Sequence, residues 1–359
     1  MKSSRQANWY VLQVLLSALA VLFPFVLFAA EPLPPYNIDL SQTSLSGVSS
    51  GGYMAVQFHV AYSSIVRGVG VIAGGPYNCA ENSAWKATHN CTKPNATYPV
   101  PDVNHLIALT NELVSPRDID ETVHMKNAKV WLFSGQKDET VKPPVMDVLD
   151  QYYRHYVNPD NVSYKHDCQA GHGMIVGDNT AEACSTAASC YASVSPYIND
   201  CSYNAAQRML EHMYGPLKSP ARQLGGTFIE FDQREFLGGD SYSHSMRDTG
   251  FAYIPGACAS IRCRVHVALH GCLQHYDAIG DQFYKNAGYN EVADTNDIIV
   301  LYPQTIVRFG WNWWTLGYVL NLYACWDWWG YDNSDYYKKR GNQITAIKAM
   351  LDRLAMPRR

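Results

Sequence analysis

The chain has 359 residues, which is enough for one large hydrophobic core in a single α/β domain. Hydrophobic residues make up 47% and charged residues 17% of the chain, as in ordinary globular proteins, which excludes an intrinsically disordered chain. The net charge of -4 provides no basic field to drive binding to DNA or RNA. Nucleic acid is therefore not an expected partner.

The N-terminus has the composition of an export signal. Lys2 and Arg5 precede an apolar run from Trp9 to Ala30 that ends in small residues. This order predicts a secretory signal peptide over residues 1–30. An uncleaved membrane anchor is the alternative, because about 20 apolar residues are enough to span a bilayer. No later stretch is long and apolar enough, so stable membrane insertion is not expected once the signal is removed.

Ten cysteines follow the predicted signal, an even number that indicates disulfide bonds formed in an oxidising compartment. Spacing alone does not fix which cysteines pair. Local bridges are expected for Cys79 with Cys91, Cys184 with Cys190 and Cys258 with Cys263, and the remaining candidates are Cys168, Cys201, Cys272 and Cys325. A zinc site is the alternative, but the chain has no paired C-x-x-C motif or matching Cys/His spacing, so no metal is expected.

Apolar, β-branched runs alternate with helical stretches, which predicts a mainly parallel sheet flanked by helices. In chain order, the predicted strands are Thr43–Val48, Val69–Ala73, Lys129–Phe133, Val162–His166, Thr227–Phe231, Gly250–Ile254, Arg264–Leu269 and Ile298–Tyr302. The predicted helices follow Gly51 and cover Pro144–Tyr156, Ala205–Tyr214 and Asn342–Leu354. The stretch from Ala181 to Tyr203 is expected to be a disulfide-tied excursion. Without a low-complexity linker, residues 31–359 are expected to form a single catalytic domain.

Gly47-Val48-Ser49-Ser50-Gly51 matches the motif G-x-S-x-G. In this motif a strand meets a helix through a turn so tight that the residues flanking the serine must be small. A predicted strand precedes Ser49 and a predicted helix follows it, which is the order the turn requires. Because the turn exposes the serine hydroxyl, Ser49 is the candidate nucleophile of a serine esterase.

A serine hydroxyl needs a base to take its proton, and an acid must hold that base in the right tautomer. In the α/β-hydrolase fold both follow the nucleophile, acid first, in loops after later strands. Asp138 lies after the predicted strand ending at Phe133, and His172 lies after the predicted strand around Tyr164. They are the candidate acid and base. The nearest alternatives are Glu139, Asp147 and His166.

The oxyanion of ester cleavage needs two backbone N–H donors. Ser50 is one candidate donor. The other donor normally comes from a loop before the nucleophile, whereas the candidate loop His270-Gly271-Cys272 lies far after it. If the segment from Thr227 onward supplies the early strands, every element is present in circularly permuted order, which nearby termini make tolerable. The alternative is that this loop is an unrelated turn.

Several segments together resemble one family. They are Ser46-Gly47-Val48-Ser49-Ser50-Gly51-Gly52-Tyr53-Met54-Ala55, Gly135 with Asp138, Gly171-His172-Gly173, Leu269-His270-Gly271-Cys272-Leu273-Gln274 and Cys325-Trp326. Over nearly the whole chain after the signal, the sequence resembles the extracellular poly(3-hydroxybutyrate) depolymerase family, specifically its circularly permuted, single-domain branch. The resemblance implies a circularly permuted α/β-hydrolase fold.

The resemblance also implies functional roles. It implies that Ser49 is the nucleophile, His172 the base and Asp138 the acid that orients this base. It implies that the N–H groups of Ser50 and Cys272 form the oxyanion hole. A disulfide bond between Cys272 and Cys325, joining the oxyanion loop to the tryptophan loop, is implied as well.

Such an enzyme must attract an insoluble polyester and thread one chain into a cleft. Six of the nine tryptophans lie between Trp311 and Trp329, and tryptophan offers a large apolar area with a polar edge. Trp311 and Trp313 are candidate substrate contacts, and the resemblance places Trp326 in the cleft. Packing in the core is the alternative for at least half of these rings.

These expectations describe a secreted or periplasmic enzyme, monomeric, that needs no metal or organic cofactor and acts on a polyester or an oligomeric ester. A feruloyl or acetylxylan esterase is the alternative, because the His-Gly-Cys and Cys-Trp elements also resemble those enzymes. An alternative of another class is a non-catalytic protein that binds surfaces through its aromatic residues. Such a protein would have no need of Ser49, Asp138 and His172 together.

Overall fold

The structure is a computed structural model that describes residues 30–178, 183–312 and 317–358. Its strands are β1 (Thr43–Val48), β2 (Val66–Ile72), β3 (Lys129–Phe133), β4 (Val162–Lys165), β5 (Met174–Val176), β6 (Ile198–Asp200), β7 (Thr227–Asp232), β8 (Thr249–Ile254), β9 (Arg264–Leu269), β10 (Ile298–Tyr302), β11 (Arg308–Asn312) and β12 (Gly317–Asn321). Its α-helices are α1 (Ser50–Ala61), α2 (Ala84–Thr88), α3 (Val103–Glu112), α4 (Pro143–Tyr156), α5 (Ala188–Tyr191), α6 (Ala205–Tyr214), α7 (Tyr276–Ile279), α8 (Gln282–Asn286), α9 (Tyr289–Thr295) and α10 (Asn342–Ala355).

Eight strands form the central sheet in the order β4-β3-β2-β1-β9-β10-β8-β7. Neighbouring strands from β4 to β10 run parallel, and β8 is antiparallel to both β10 and β7. Strands β5 and β6 form a small parallel pair, and β11 and β12 form an antiparallel hairpin. The mainly parallel sheet of the prediction is confirmed.

The sheet order also establishes the circular permutation. β1, which leads to Ser49, pairs on one side with β2 and on the other with β9, a strand from much later in the chain. β7 to β10 therefore occupy the half of the sheet that strands before the nucleophile occupy in the unpermuted fold. The loop after β9 consequently lies beside the turn after β1.

Helices cover both faces of the sheet because its strands are apolar on both faces. Val130 and Leu132 of β3 belong to one buried cluster, which also contains residues of α1, α4 and α10. Trp131 and Phe133 of the same strand point to the other cluster, with residues of α6, α8 and α9. α1 is buried on every side, so an apolar helix fixes the turn that precedes it.

The predicted elements match the structure closely where apolar runs are clear. All eight predicted strands are present, and the largest difference is that β2 begins at Val66 instead of Val69. Residues 31–359 cluster as one compact unit. Within the described ranges, no helix is both long and apolar enough to cross a membrane. The predicted signal peptide falls on residues 1–29, which lie outside the described residues, and on Ala30.

Five disulfide bonds are present among the described residues. They join Cys79 to Cys91, Cys168 to Cys184, Cys190 to Cys201, Cys258 to Cys263 and Cys272 to Cys325. The expected bridge between Cys184 and Cys190 is wrong. β6 pairs in parallel with β5 and ends directly before Cys201, whose Cα atom lies 4.6 Å from that of Cys190. Cys184 pairs instead with Cys168, in the loop after β4.

Candidate active site

Ser49 lies at the sharp turn between β1 and α1. Its φ of 55° and ψ of -123° are unusual for a residue with a side chain, and strained backbone of this kind clusters at functional sites. The Ser49 N–H donates to the carbonyl of Ile72 on β2 at 2.9 Å, which ties the turn to the sheet. The turn therefore holds the serine at the carboxyl end of β1.

Two glycines make this turn sterically feasible. A Cβ on Gly47 would lie 2.2 Å from the backbone of Gly51. A Cβ on Gly51 would lie 2.3 Å from the carbonyl oxygen of Leu269 at the end of β9. Both glycines of the motif are therefore required: Gly47 for a close contact within the turn, and Gly51 for a close contact between the turn and the neighbouring strand β9.

His172 and Asp138 form a buried pair. Asp138 follows β3, His172 follows β4, and the His172 Nδ1 lies 2.7 Å from the Asp138 Oδ2. The other carboxylate oxygen of Asp138 accepts the N–H groups of Thr140 and Val141 at 2.8 and 2.9 Å. Because an ionised carboxylate only accepts hydrogen bonds, Nδ1 carries the proton and Nε2 is left as the basic nitrogen.

The three residues considered as alternatives to Asp138 and His172 have other partners or are exposed to solvent. The side chain of Glu139 is 83% exposed and faces Lys142. Asp147 accepts a hydrogen bond from the Tyr164 hydroxyl at 2.9 Å, and His166 is exposed. Only Asp138 pairs with His172 among the carboxylates of the described chain.

Ser49 and His172 line one cavity of about 300 Å³ at the carboxyl ends of the strands, where open α/β sheets bind ligands. Its volume is near the lower end of the roughly 300–1,000 Å³ typical of ligand pockets. The lining residues are Val48, Ser49, Thr140, His172, Ser193, Tyr197, Gly271, Cys272, Leu273, Gln274 and Tyr323. The site thus joins loops from both halves of the permuted chain.

The two predicted oxyanion donors lie differently: Cys272 lines this cavity, whereas Ser50 directly follows Ser49 and is not among the lining residues. Ser50 is the first residue of α1, where the N–H groups have no acceptor within the helix. Cys272 lines the cavity, and its N–H has no hydrogen-bond acceptor among the described residues. The N–H groups of Ser50 and Cys272 remain the candidate donors of an oxyanion hole.

The loop after β9 that carries Cys272, the predicted oxyanion loop, is held from behind by buried residues. His270 Nε2 accepts the N–H of Thr305 at 3.2 Å, which leaves the proton on Nδ1, and Nδ1 donates to the Gly271 carbonyl at 2.8 Å. Burial lowers the pKa of His270 to about 3, so the ring is neutral at neutral pH. His270 is therefore a structural support of this loop.

Trp326 is not among the residues that line this cavity, so its predicted contact with substrate stays a prediction. The ring is completely buried, and its Nε1 donates to the His270 carbonyl at 3.0 Å. The disulfide bond between Cys272 and Cys325 draws this segment beneath the oxyanion loop, where the indole packs against the His270 ring. The tryptophan next to the bridge supports the loop from behind.

Trp311 lies on β11, outside the lining of the cavity, and Trp313 lies outside the described residues. The hairpin of β11 and β12 turns its apolar side chains outward: Phe309, Trp311, Tyr318 and Leu320 are all exposed. Its other face is buried and includes Arg308 and Val319. After β12 the chain continues to Tyr323, which is exposed and lines the cavity, so the apolar face and the cavity are continuous along the chain.

A second serine–histidine set lies inside the sheet. Ser44 and Ser46 of β1 bond to the Nδ1 and Nε2 atoms of His266, each at 2.7 Å. All three residues are fully buried, and burial lowers the pKa of His266 to about 3. This set has no access to substrate and serves to join β1 to β9.

Several cavity residues were not singled out from the sequence. Ser193 and Tyr197 come from the excursion after β5, whose path depends on two disulfide bonds. Gln274 lies three residues after Gly271. The only sequence signal for it was its position at the end of the Leu269-to-Gln274 segment that carries the family resemblance. In the described ranges, no group of three or more histidine, cysteine, aspartate or glutamate residues is arranged to hold a metal ion.

The permuted sheet and the tight turn at Ser49 define an α/β-hydrolase. No family model matches the chain. It is 44% identical over 333 residues to the poly(3-hydroxybutyrate) depolymerase of Delftia acidovorans, covering 91% of this chain and 62% of that protein. It is 37% identical over 329 residues to the polyhydroxybutyrate depolymerase of Talaromyces funiculosus, covering 89% of this chain and 91% of that protein.

Solved structures agree. The PHB depolymerase from Penicillium funiculosum, and a serine-to-alanine PHB depolymerase complexed with R3HB trimer, each superimpose with a TM-score of 0.79 at 35% identity. Each match covers 90% of this chain and 98% of the solved one. The chain belongs to the polyhydroxybutyrate depolymerase family, although it spans less than two thirds of the Delftia relative.

Proposed function

We propose that this protein is a secreted serine esterase that hydrolyses poly(3-hydroxybutyrate) or a related polyhydroxyalkanoate. The observation that carries the proposal is one cavity lined by Ser49, by Cys272 and by a histidine held 2.7 Å from a buried carboxylate; the Cys272 N–H has no acceptor within the described part of the chain. These are the parts that ester hydrolysis by nucleophilic catalysis requires. Membership of the depolymerase family supports the choice of polyester as substrate.

In the first step the Ser49 Oγ attacks the ester carbonyl carbon while His172 Nε2 takes the hydroxyl proton. The carbonyl oxygen becomes negative and accepts hydrogen bonds from the N–H groups of Ser50 and Cys272. When this intermediate collapses, the ester C–O bond breaks and His172 returns its proton to the departing alcohol. The result is a 3-hydroxyacyl ester on Ser49.

In the second step a water molecule attacks the acyl carbon and gives a proton to His172. The same two N–H groups stabilise the second oxyanion. Collapse breaks the bond to Ser49, whose Oγ regains the proton from His172, and a carboxylic acid product leaves. The carboxylate of Asp138 stabilises the imidazolium that forms in each step.

We further propose that the exposed hairpin face adsorbs to the solid polymer. Phe309, Trp311, Tyr318 and Leu320 form a contiguous apolar surface of a kind that marks interaction sites. Tyr323 links this surface to the cavity. A polymer chain leaving the adsorbed surface would therefore meet the cavity directly.

The organisation proposed for the whole protein is a signal peptide at residues 1–30 followed by one catalytic domain at residues 31–359, acting as a secreted or periplasmic monomer. The five disulfide bonds support an oxidising compartment. Mass measurement of the exported protein tests cleavage, and light scattering of the same sample tests the monomer.

The deciding experiment compares substrates. Purified protein should clear a suspension of poly(3-hydroxybutyrate), and the variant Ser49→Ala should bind the polymer but leave it intact. Rapid cleavage of soluble feruloyl or acetylxylan esters without clearing of polyester would replace the substrate assignment with the alternative esterase. Polymer binding without hydrolysis of any ester by the wild type would instead favour the non-catalytic binding protein.

A further inference from the structure

Gln274 is a buried residue of the cavity wall to which the proposed mechanism gives no role. It is 1% exposed and lies at the end of the turn that carries Cys272. Its side chain is completely hydrogen-bonded. The Oε1 accepts the N–H of Gly271 at 2.8 Å, and the Nε2 donates to the carbonyls of Pro196 and Tyr197 at 3.2 and 2.9 Å. These partners fix the amide orientation, because the N–H can only donate and the carbonyls can only accept.

The peptide between Gly271 and Cys272 carries the oxyanion donor. Its carbonyl accepts from His270 Nδ1 at 2.8 Å and from the Gln274 N–H at 3.2 Å. Because a trans peptide is planar, its N–H points opposite to its carbonyl. Holding the Gly271 carbonyl against these two donors therefore turns the Cys272 N–H away from them.

The same turn is strained. Leu273 has a φ of 62°, a conformation that costs energy for a residue with a branched side chain. The Leu273 N–H donates to the Tyr323 carbonyl at 2.8 Å, so the turn is also tied to the hairpin segment. A strained turn keeps its shape only while neighbouring contacts restrain it, and Gln274 supplies contacts from both its backbone and its side chain.

Gln274 also reaches the segment that holds His172. The His172 N–H donates to the Ser193 Oγ at 2.8 Å, and the Tyr197 carbonyl accepts both the Gln274 amide and the N–H of Met174. One side chain thus bridges the loop of the oxyanion donor and the loop of the base. These loops come from opposite halves of the permuted chain.

We propose that Gln274 is a positioning residue that aims the Cys272 N–H at the cavity and keeps the oxyanion hole in register with His172. The proposal rests on the proposed esterase function and adds to it a residue that acts through others. Its loss should weaken stabilisation of the oxyanion more than binding of the uncharged ester, because the ester carbonyl gains its negative charge only in the transition state.

The test replaces Gln274 with methionine, which keeps the length of the side chain but forms none of its three hydrogen bonds. Gln233 provides a matched control: it is fully buried, its Oε1 accepts the Gln304 N–H, and its Nε2 donates to the carbonyls of Arg247 and Gln304. Gln233→Met loses the same three kinds of bond away from the cavity. Both variants are assayed with a soluble short-chain ester and with a boronic acid that forms a tetrahedral adduct on serine.

For Gln274→Met, kcat should fall about 10- to 100-fold with KM changed less than about threefold, because misplacing one oxyanion donor acts on the transition state. The inhibition constant of the boronic acid should rise by a similar factor. Gln233→Met should keep kcat within about twofold and lose stability to a similar extent in urea. If the methionine variant cannot be isolated folded, Gln274→Asn, which keeps an amide on a shorter stem, takes its place.

A folded Gln274 variant with kcat and boronic acid affinity within about twofold of wild type would overturn the proposal, since positioning predicts a loss in both. An equal loss of kcat in Gln233→Met would also overturn it, because the effect would then be general destabilisation. A wild-type protein that hydrolyses no ester would refute the proposed function itself, which is a different result.

Discussion

Two serine–histidine sets, one within β1 and one just past its end, differ in every feature that matters for catalysis. Ser49 stands just past the end of β1 at a cavity, and His172 across that cavity is oriented by Asp138. Ser46, within β1, bonds to a histidine whose two nitrogens are both occupied by serine hydroxyls. The two serines are three positions apart, so their chemistry is decided by surroundings and not by residue type.

The comparison shows what activates a serine. A base needs one nitrogen held by an acceptor and the other directed at an accessible hydroxyl. His266 lacks an acidic partner in its hydrogen bonds, and its burial holds the pKa too low for it to take a proton at neutral pH. Proximity of serine and histidine alone therefore gives a structural contact, which replacements can distinguish from a catalytic one.

The largest expected difference in kcat is that between the variants Ser49→Ala and Ser46→Ala. Ser49→Ala should lower kcat by at least about 10⁴-fold, because it removes the nucleophile. Ser46→Ala should keep kcat within about threefold and lose about 1–2 kcal/mol of unfolding free energy, since Tyr289 and His266 each lose a buried partner. Steady-state kinetics with a soluble ester and urea denaturation measure the two effects. A comparable kcat in both variants would contradict the assignment of Ser49 as the nucleophile and Ser46 as a structural residue.

The second largest loss of kcat is expected when Asp138, the proposed acid, is replaced. Asp138→Asn should lower kcat by about 10³- to 10⁴-fold, because an amide N–H facing Nδ1 selects the tautomer that leaves Nε2 protonated. The variant should fold, since the amide oxygen can still accept the N–H groups of Thr140 and Val141. Circular dichroism checks the fold and the ester assay checks kcat. Full activity in this variant would show that another group orients His172.

A smaller effect, on stability alone, is expected for the buried histidine. His266→Leu should cost about 2–4 kcal/mol of unfolding free energy, because Ser44 and Ser46 each lose a buried partner. The kcat of the folded variant should remain within about threefold of wild type. A loss of kcat near that of Asp138→Asn, with unchanged stability, would move His266 into the chemistry.

The smallest effect is the dependence of stability on pH. Burial lowers the pKa of His59, His266 and His270 to about 3, below the value of about 6.5 for an unfolded chain. Between these values the unfolded chain binds more protons, so stability is complete above about pH 6.5 and falls on acidification by about 1.4 kcal/mol per pH unit for each ring.

His59 is the ring whose replacement removes the fewest hydrogen bonds: its Nε2 has no partner among the described residues, and its Nδ1 contacts only the Tyr153 hydroxyl, at 3.1 Å. Between pH 6 and pH 4, His59→Leu should reduce the slope of unfolding free energy against pH by the contribution of one histidine, about 1.4 kcal/mol per pH unit. Urea denaturation at several pH values measures it. An unchanged slope would mean that His59 is protonated in the folded protein.

Sequence patterns predicted the sheet well because each strand is a short apolar run. The hairpin of β11 and β12 was missed for the opposite reason: its exposed face is apolar, while Arg308 and Asn321 are buried beneath it. This reverses the usual alternation. The outward face of Phe309 and Trp311 follows from pairing that only the folded chain shows.

The site residues also fall into two groups, those that could be predicted from the sequence and those that could not. Ser49, Asp138 and His172 could be predicted as candidates because each follows a recognisable strand in a fixed order. The predicted pairing of Cys184 was wrong, because it depends on how long loops return to the sheet. Gln274 bridges two such loops, so its three partners cannot be read from spacing.

The central claim is that Ser49, among the serines of β1 and its turn, is the nucleophile. Treatment with a fluorophosphonate and mapping of the modified peptide by mass spectrometry test it directly. The account predicts one adduct per chain, located on Ser49, with loss of ester hydrolysis in proportion to labelling and no adduct in Ser49→Ala. An adduct on Ser44, on Ser46 or on a distant serine, or hydrolysis that survives complete labelling of Ser49, would contradict it.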